Sequence, residues 1–156
     1  MGQGERDTPE IVGESRAAKG ATAPPPMVYG KGKWVWLNVW AAWCEPCKEE
    51  MPTILKWRDE LKAAGVPIEV AFISIDDDER EMDRFLSSQP DKGVRASYWL
   101  RESDRDKWFE SIGMDDTPQL PVHALVTPKG KLACTIQGAI ETDDYDVLKA
   151  FFQGRS

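Results

Sequence analysis

The sequence contains little histidine, little cysteine and no long apolar run. Its 156 residues include three cysteines, too few for a disulfide-rich secreted scaffold. No stretch approaches the roughly 18 consecutive apolar residues that a membrane span needs. Basic residues are also in deficit, because 20 lysines and arginines oppose 27 acidic residues and leave a net charge of −7. This acidic balance argues against nucleic acids and anionic membrane surfaces as partners.

The composition is that of one soluble globular domain preceded by a polar segment. Hydrophobic residues make up 41% and charged residues 30% of the chain, and 156 residues are about one domain. Residues 1–27 hold no aromatic side chain and end in three prolines and a methionine, so they offer little apolar surface to bury. We expect a disordered tether over residues 1–27 and a folded domain over residues 28–156.

The start of the chain shows no basic segment followed by an apolar one, which is the pattern of an export signal. Two locations fit this observation: the cytoplasm, or an extracytoplasmic compartment if a signal has been removed. The polar, proline-bearing tether favours the second location, either periplasmic or tethered to a membrane, and leaves the first open.

Strand-like apolar runs and helix-like apolar spacings follow one another along the rest of the chain. The nearly continuous apolar run at 34–40 is typical of a strand buried on both faces. Helices between strands imply parallel pairing, and a final hairpin turning at 127–131 implies antiparallel pairing. The fold class is therefore α/β, with a central mixed sheet flanked by helices. Strands are predicted at 34–40, 68–75, 96–100, 122–126 and 132–136, and helices at 44–64, near 82–86, at 104–112 and at 143–152.

The sharpest motif is the pair of cysteines in Cys44-Glu45-Pro46-Cys47, between the buried strand and an amphipathic helix. A helix N-terminus presents unpaired N–H groups and the positive end of the helix dipole, which both stabilise a thiolate. Cys44 is therefore the expected nucleophile, and Cys47 lies about one turn further on the same side. This spacing suits thiol–disulfide exchange, in which one cysteine attacks and the other resolves the mixed disulfide.

A structural or metal-binding interpretation of the two cysteines is the alternative. A zinc site needs about four cysteine, histidine or carboxylate ligands. Only His123 and Cys134 remain as nitrogen or sulfur donors, and neither belongs to a second close-spaced pair. We therefore expect no bound metal and no other cofactor.

The segment Trp-Ala-Ala-Trp-Cys-Glu-Pro-Cys-Lys-Glu-Glu-Met-Pro, residues 40–52, resembles the active-site helix of the thioredoxin superfamily. More closely, it resembles the TlpA/ResA-like branch of thiol–disulfide oxidoreductases. The resemblance implies a thioredoxin-like fold with an inserted helix–strand unit between about residues 78 and 100. It also implies that Cys44 attacks, that Cys47 is buried, that Trp43 flanks the site and that Pro52 kinks the helix.

Glu50 is the most informative position that the resemblance carries over. It lies three residues after Cys47, about one helical turn, so the two side chains can lie close together. Thioredoxin itself has a buried aspartate where this sequence has Asn38, and the ResA-like branch has a glutamate where Glu50 stands. A carboxyl group in an apolar pocket can exchange protons near neutral pH, so Glu50 is expected to deprotonate Cys47 or to return its proton. The alternative is a solvated helix glutamate beside Glu49.

The resemblance also assigns a client-binding groove beside the cysteines. In this fold, a cis-proline before the penultimate strand faces the disulfide, and Leu120-Pro121 holds that place here. We expect a cis bond at Pro121, with Trp43, Glu45, Pro46 and Leu120 contacting the client. Thr117 and Gln119 are expected to line the same groove.

His123 and Cys134 are expected to be structural. A copper chaperone of this fold uses two cysteines and a distant histidine, but it spaces its cysteines by three residues and not two. Cys134 lies in a strand pattern, and cysteine outside disulfides is among the most buried residue types. A regulatory role for that thiol has no support in the sequence.

One departure from the family pattern lies near the start of the chain. The family has an N-terminal hairpin before the central strand, and only residues 22–29 stand in its place, so that hairpin is expected to be shortened or absent. Client contacts on this edge are correspondingly in doubt.

The sequence favours a monomeric thiol–disulfide oxidoreductase that exchanges disulfides with protein clients through Cys44 and Cys47, and acts as a reductant. Its partners are then an upstream redox donor and protein clients such as cytochrome apoproteins during cytochrome c maturation. The alternatives are a copper carrier that uses Cys44, Cys47 and His123, and a peroxidase. A peroxidase of this fold has a threonine or serine three residues before its reactive cysteine, where this sequence has Ala41.

Overall fold

A computed structural model of the chain describes residues 6–10, 14–114 and 118–154. Within these residues, five strands and four helices follow one another in the order that the sequence predicts, and two further strands lie before them. They are β1 (Arg6–Asp7), β2 (Glu14–Ala17), β3 (Trp34–Trp40), α1 (Glu45–Ala63), β4 (Ile68–Ser74), α2 (Glu79–Ser88), β5 (Ala96–Trp99), α3 (Glu102–Ser111), β6 (Val122–Val126), β7 (Lys131–Gln137) and α4 (Asp144–Gly154).

The strands of the described residues form one mixed sheet in the order β1-β7-β6-β3-β4-β5-β2. Strands β3, β4 and β5 are parallel, and β6 is antiparallel to both β3 and β7. All seven residues of β3 are buried, which requires cover on both faces of the strand because successive side chains point to opposite faces. The predicted α/β class, mixed sheet and final hairpin are confirmed, and α2 with β5 forms the predicted helix–strand unit.

Helix α1 begins directly after Cys44, which is its N-cap residue. Pro46 lies in the first turn, where a missing N–H leaves no helical hydrogen bond unmade. The helix ends at Ala63, and Gly65 follows with a φ of 90°, a conformation that glycine adopts without strain. The inward side of α1 carries Cys47, Glu50, Met51, Ile54, Trp57 and Leu61, all buried.

The described part of residues 1–27 is not the disordered tether that its composition predicts. Strand β2 pairs antiparallel with β5 at one edge of the sheet, and β1 pairs antiparallel with β7 at the other. The prediction is wrong because edge pairing uses backbone N–H and C=O groups, which a count of apolar side chains does not register. The guanidinium of Arg16 also lies over the Trp99 ring, 5.2 Å from its centroid, and so covers this edge.

The two N-terminal strands that the structure describes do not form the hairpin of the family pattern. β1 and β2 lie at opposite edges of the sheet, so they do not pair with each other. The proline segment that follows is also held in place, because the Tyr98 hydroxyl donates a hydrogen bond to the Pro25 carbonyl. The chain therefore contacts both edges of the sheet before it enters β3.

Aromatic side chains fill much of the core. Trp34 packs on Phe152 of α4 with ring centroids 5.0 Å apart, and Trp40 packs on Phe85 of α2 at 5.1 Å. Three of the four tryptophans before Cys44 are therefore core residues, and Trp43 is the exposed one. No helix in the described ranges is both long enough and apolar enough to cross a membrane.

Candidate active site

A disulfide joins Cys44 and Cys47 at the N-terminus of α1, with a Cα–Cα distance of 5.3 Å. The Sγ atom of Cys44 also accepts a hydrogen bond from the backbone N–H of Cys47 at 3.3 Å. Sequence predicts this pair from its spacing, and the structure places it at the positive end of the helix dipole. In the reduced state, the same N–H group and dipole stabilise a thiolate on Cys44.

The two cysteines differ in their surroundings. Cys47 is fully buried, Cys44 is 5% exposed, and the neighbouring Trp43 is 58% exposed. Glu45 and Pro46 are also exposed, and the Glu45 carboxylate pairs with the Lys48 ammonium at 2.8 Å. The surface around the disulfide is thus an exposed aromatic ring beside a proline and a charge pair.

The Leu120–Pro121 peptide bond is cis, as the resemblance predicts. Val122, the first residue of β6, pairs with Val39 near the end of β3. Because β3 leads into the segment that carries Cys44, this register places Pro121 at the same end of the sheet as the disulfide. Gln119 is exposed nearby, and its backbone N–H donates a hydrogen bond to the Gln137 side-chain oxygen at 3.1 Å. Thr117 lies outside the described residues.

Glu50 is buried, so the alternative of a solvated helix glutamate is wrong. Its Oε2 atom accepts the backbone N–H of Ile140 at 2.9 Å. Its Oε1 atom lies 3.3 Å from Asn38 Nδ2, which donates to it, and 3.1 Å from His123 Nε2. The carboxyl group therefore has polar neighbours on β3, on β6 and on the segment after β7.

His123 takes part in this buried polar group. The sequence predicts a structural role for His123, but it does not predict the contacts with Trp36 and Glu50. Its Nδ1 atom accepts a hydrogen bond from the Trp36 indole N–H at 2.9 Å. The signal lies in the sheet register, because Asn38 pairs with His123 and Trp36 lies two residues before Asn38 on the same face. Sequence alone does not specify which residues of two strands pair.

Asp76 is the second functional candidate that the sequence did not identify. Its two carboxylate oxygens accept the backbone N–H of Ala42 at 2.9 and 3.0 Å, and Oδ2 accepts the Ser74 hydroxyl at 2.6 Å. Burial raises the pKa of Asp76, and the hydrogen bonds from Ser74 and Ala42 oppose part of that rise. Two residues further on, Asp78 is the N-cap of α2, and its carboxylate accepts the backbone N–H of Arg80 at 3.0 Å.

Cys134 is buried in β7, as predicted, and it takes no part in the disulfide. Among the described residues, no group of three or more histidine, cysteine or acidic side chains is placed to hold a metal ion. The copper-carrier alternative therefore has no support from the arrangement of side chains.

Two similar curated proteins are named thiol-disulfide oxidoreductase ResA. Thiol-disulfide oxidoreductase ResA of Bacillus subtilis (strain 168) is 31% identical over 110 residues, which are 70% of this chain and 56% of the relative. ResA of Oceanobacillus iheyensis is 32% identical over 114 residues, which are 72% of this chain and 54% of the relative. The chain thus spans just over half the length of these curated relatives.

Solved structures share the fold at low sequence identity. A thiol:disulfide interchange protein from Bacteroides sp. has a TM-score of 0.66 at 24% identity, covering 97% of this chain and 91% of that one. A thioredoxin-related protein from Neisseria meningitidis serogroup B has a TM-score of 0.67 at 22% identity, covering 91% of this chain and all of that one. These matches confirm the thioredoxin-like fold.

The family model matches residues 27–135, from before β3 to a point within β7, and so includes the disulfide, Glu50 and the cis-proline. This match covers more than half of the chain, and the ResA relatives agree with it. The chain belongs to the AhpC/TSA family of thioredoxin-like proteins.

Proposed function

We propose that the protein is a thiol–disulfide oxidoreductase that exchanges disulfides with protein clients through Cys44 and Cys47, and that it acts as a reductant. The observation that carries the proposal is the disulfide between the N-cap residue of α1 and a buried cysteine one turn later. The relatives named thiol-disulfide oxidoreductase ResA support this reaction class.

The reaction begins with the reduced protein. The Cys44 thiolate attacks one sulfur of a client disulfide, and the other client sulfur leaves as a thiolate that takes up a proton. Cys47 then passes its proton to Glu50 and attacks Sγ of Cys44, which releases the second client sulfur as a thiolate that takes up a proton as Glu50 gives up the one it received. The client gains two electrons and two protons, and the protein is left with its Cys44–Cys47 disulfide. An upstream dithiol donor returns it to the reduced state.

The client surface consists of the exposed residues around the disulfide. Trp43 offers a large apolar contact, and Glu45 and Pro46 lie on the exposed side of the first helical turn. Leu120 and Pro121 border the same end of the sheet, where a client backbone can lie alongside the cysteines. In this assignment, Trp43 contributes binding energy and Cys44 contributes the chemistry.

The proposed setting is an extracytoplasmic compartment, where the protein works as a monomer and clients include cytochrome apoproteins. The resemblance of residues 40–52 to the TlpA/ResA-like branch supports this setting. Fractionation of the host cells tests the location, because recovery of the protein with the cytoplasmic fraction alone would exclude it. Sedimentation at micromolar concentration tests the monomer.

The peroxidase alternative lacks a side chain that it needs. The position three residues before Cys44 is Ala41, which is buried and carries no hydroxyl group. Consumption of hydrogen peroxide by the reduced protein, at a rate comparable with client reduction, would nevertheless restore this alternative.

Reduction of insulin disulfides by the chemically reduced protein tests the proposal. Cys44→Ser is expected to lower the rate by about 10³-fold or more, because it removes the nucleophile. Cys47→Ser is expected to accumulate a mixed disulfide between Cys44 and the client, visible on a non-reducing gel. Cys134→Ala is the matched control and keeps the wild-type rate. Wild-type insulin reduction that survives Cys44→Ser would overturn the proposal.

A further inference from the structure

A chain of buried polar groups connects β3, β6 and α1 behind the active-site disulfide. The indole N–H of Trp36 donates to Nδ1 of His123 at 2.9 Å, and Nε2 on the far side of the ring lies 3.1 Å from Glu50 Oε1. His123 is fully buried and Glu50 is 5% exposed. Glu50 lies one helical turn from Cys47, whose proton it receives in the proposed reaction.

The Trp36 contact determines where His123 carries its proton. An indole N–H can only donate, so Nδ1 of His123 must accept and cannot itself be protonated. The neutral ring therefore holds its hydrogen on Nε2, the atom that faces Glu50. A doubly protonated ring would break the hydrogen bond to Trp36 inside the core.

Among the described residues, the acceptor recorded within reach of the Nε2–H group is Glu50 Oε1. This N–H group makes no in-line hydrogen bond within the described part of the chain, and Glu50 Oε1 lies within reach at 3.1 Å. A small rotation of the carboxyl group directs the lone pair of Oε1 at this hydrogen. The carboxyl group then has three neutral donors: Nε2 of His123, Nδ2 of Asn38 and the backbone N–H of Ile140.

Few charged groups compete for Glu50. The polar atoms recorded beside the Glu50 carboxyl group are Nδ2 of Asn38 on β3, Nε2 of His123 on β6 and the backbone N–H of Ile140 after β7. In the described part of the chain, no lysine or arginine side chain forms an ion pair with Glu50 within 4.0 Å. The recorded groups that can orient this carboxyl group are therefore the neutral donors of His123, Asn38 and Ile140.

We propose that His123 is a positioning residue for Glu50, and that it acts as a fixed neutral donor from Nε2. The donor stabilises the carboxylate form that accepts the proton when Cys47 becomes a thiolate. His123 itself neither gains nor loses a proton in this step, since Nε2 keeps its hydrogen throughout. The inference rests on the proposed function, because it concerns the proton transfer that allows Cys47 to resolve the mixed disulfide.

Stopped-flow reaction of the fully reduced chain with 5,5′-dithiobis(2-nitrobenzoate) separates the two cysteines. Attack by Cys44 releases one equivalent of thionitrobenzoate, and resolution by Cys47 releases the second. The pH dependence of the second phase reports the proton transfer from Cys47, while the first phase serves as an internal control for folding and for Cys44.

In His123→Leu, the acid side of the second-phase pH profile is expected to move up by about one pH unit, because the carboxylate loses a donor. His123→Gln keeps an oxygen for Trp36 and an N–H for Glu50, and its profile is expected to stay within about 0.3 units of wild type. The first phase remains unchanged in both variants. In a Glu50→Gln background, His123→Leu produces no further shift.

Two results would overturn the inference while leaving the proposed function intact. One is a second phase whose pH profile is the same in His123→Leu as in wild type. The other is an equal shift in His123→Leu and His123→Gln, which would assign the effect to a charged imidazole. Absence of the second phase in the wild type would instead contradict the proposed function.

If His123→Leu does not fold, the nitrogen chemical shifts of the imidazole in the wild-type protein decide the question. The inference requires the Nε2–H tautomer in both the oxidised and the reduced protein, and an imidazolium spectrum in either state would overturn it.

Discussion

Asp76 binds the backbone N–H of Ala42 with both carboxylate oxygens, at 2.9 and 3.0 Å. Ala42 lies two residues before Cys44, in the segment that connects β3 to α1. Asp76 follows the end of β4, the parallel neighbour of β3. The buried Asp76 carboxylate thus holds the segment before Cys44 against the end of β4.

Removal of this carboxylate is expected to destabilise the fold. Asp76→Ala leaves the Ala42 N–H and the Ser74 hydroxyl without their acceptor, at a cost of about 2 kcal/mol or more in free energy of unfolding. Asp76→Asn keeps an acceptor oxygen and is expected to cost less. Urea unfolding of both variants measures the difference, and equal stability of Asp76→Ala and wild type would contradict this role.

The pH dependence of Asp76→Asn tests the raised pKa of Asp76. Between the carboxyl's unfolded pKa of about 3.9 and its higher folded pKa, the folded state binds more protons than the unfolded state. The stability contributed by this group is therefore present at low pH and lost as pH rises through the folded pKa. Because asparagine does not titrate, the stability of Asp76→Asn relative to wild type should increase from pH 4 to pH 7. A difference that stays constant or falls over this range would contradict the assignment.

Because Trp43 is exposed, its substitution is expected to slow client reduction and to leave the free energy of unfolding nearly unchanged. Trp43→Ala should change the free energy of unfolding by no more than about 0.5 kcal/mol, because the side chain is 58% exposed. The same change should slow insulin reduction about tenfold, since an aromatic contact beside Cys44 is lost. Val147→Ala, on α4 and 56% exposed, is the control and should affect neither quantity. Unaltered insulin reduction in Trp43→Ala would remove this residue from the client surface.

The pairing of β2 with β5 predicts that residues 14–17 are ordered in solution. Backbone amides of this strand that donate to β5 should show slowed hydrogen exchange. Deletion of residues 1–17 should lower the thermal midpoint by about 4 °C or more, because several edge hydrogen bonds are lost at about 1 kcal/mol each. Amide exchange at the rate of an unstructured peptide would contradict the strand pairing and support the disordered tether that composition predicts.

Burial of Cys134 predicts how many thiols react in the oxidised protein. The native oxidised chain should give no reaction with a thiol reagent over minutes, and one equivalent after denaturation in guanidinium chloride. Cys134→Ala should give none in either condition. One equivalent in the native wild type would show that Cys134 is accessible.

Much of the fold could be predicted from the sequence because its strands and helices have strong, distinct periodicities. The apolar run of β3 predicts a strand, and the helical spacing of Met51, Ile54 and Leu61 predicts α1, both from local sequence alone. The described N-terminal strands could not be predicted, because residues 14–17 pair through their backbone and carry no apolar alternation. Composition measures side-chain burial, and an edge strand needs little of it.

Only part of the candidate site could likewise be predicted from the sequence. Cys44 and Cys47 were predicted because their spacing and position before a helix are local properties of the sequence. The contacts of Glu50 with His123 and of Asp76 with Ala42 connect segments far apart in the chain, and they depend on strand register and on depth in the core. Neither quantity can be read from one sequence.

The reduction potential of the Cys44–Cys47 pair shows whether the protein exchanges disulfides and whether it acts as a reductant. Equilibration with dithiothreitol or glutathione buffers, followed by tryptophan fluorescence, gives this potential because Trp43 adjoins the disulfide. One reversible two-electron transition is expected, near or below thioredoxin's value of about −270 mV. A transition near about −120 mV would contradict the assignment as a reductant. Absence of any reversible two-electron transition would contradict thiol–disulfide exchange itself.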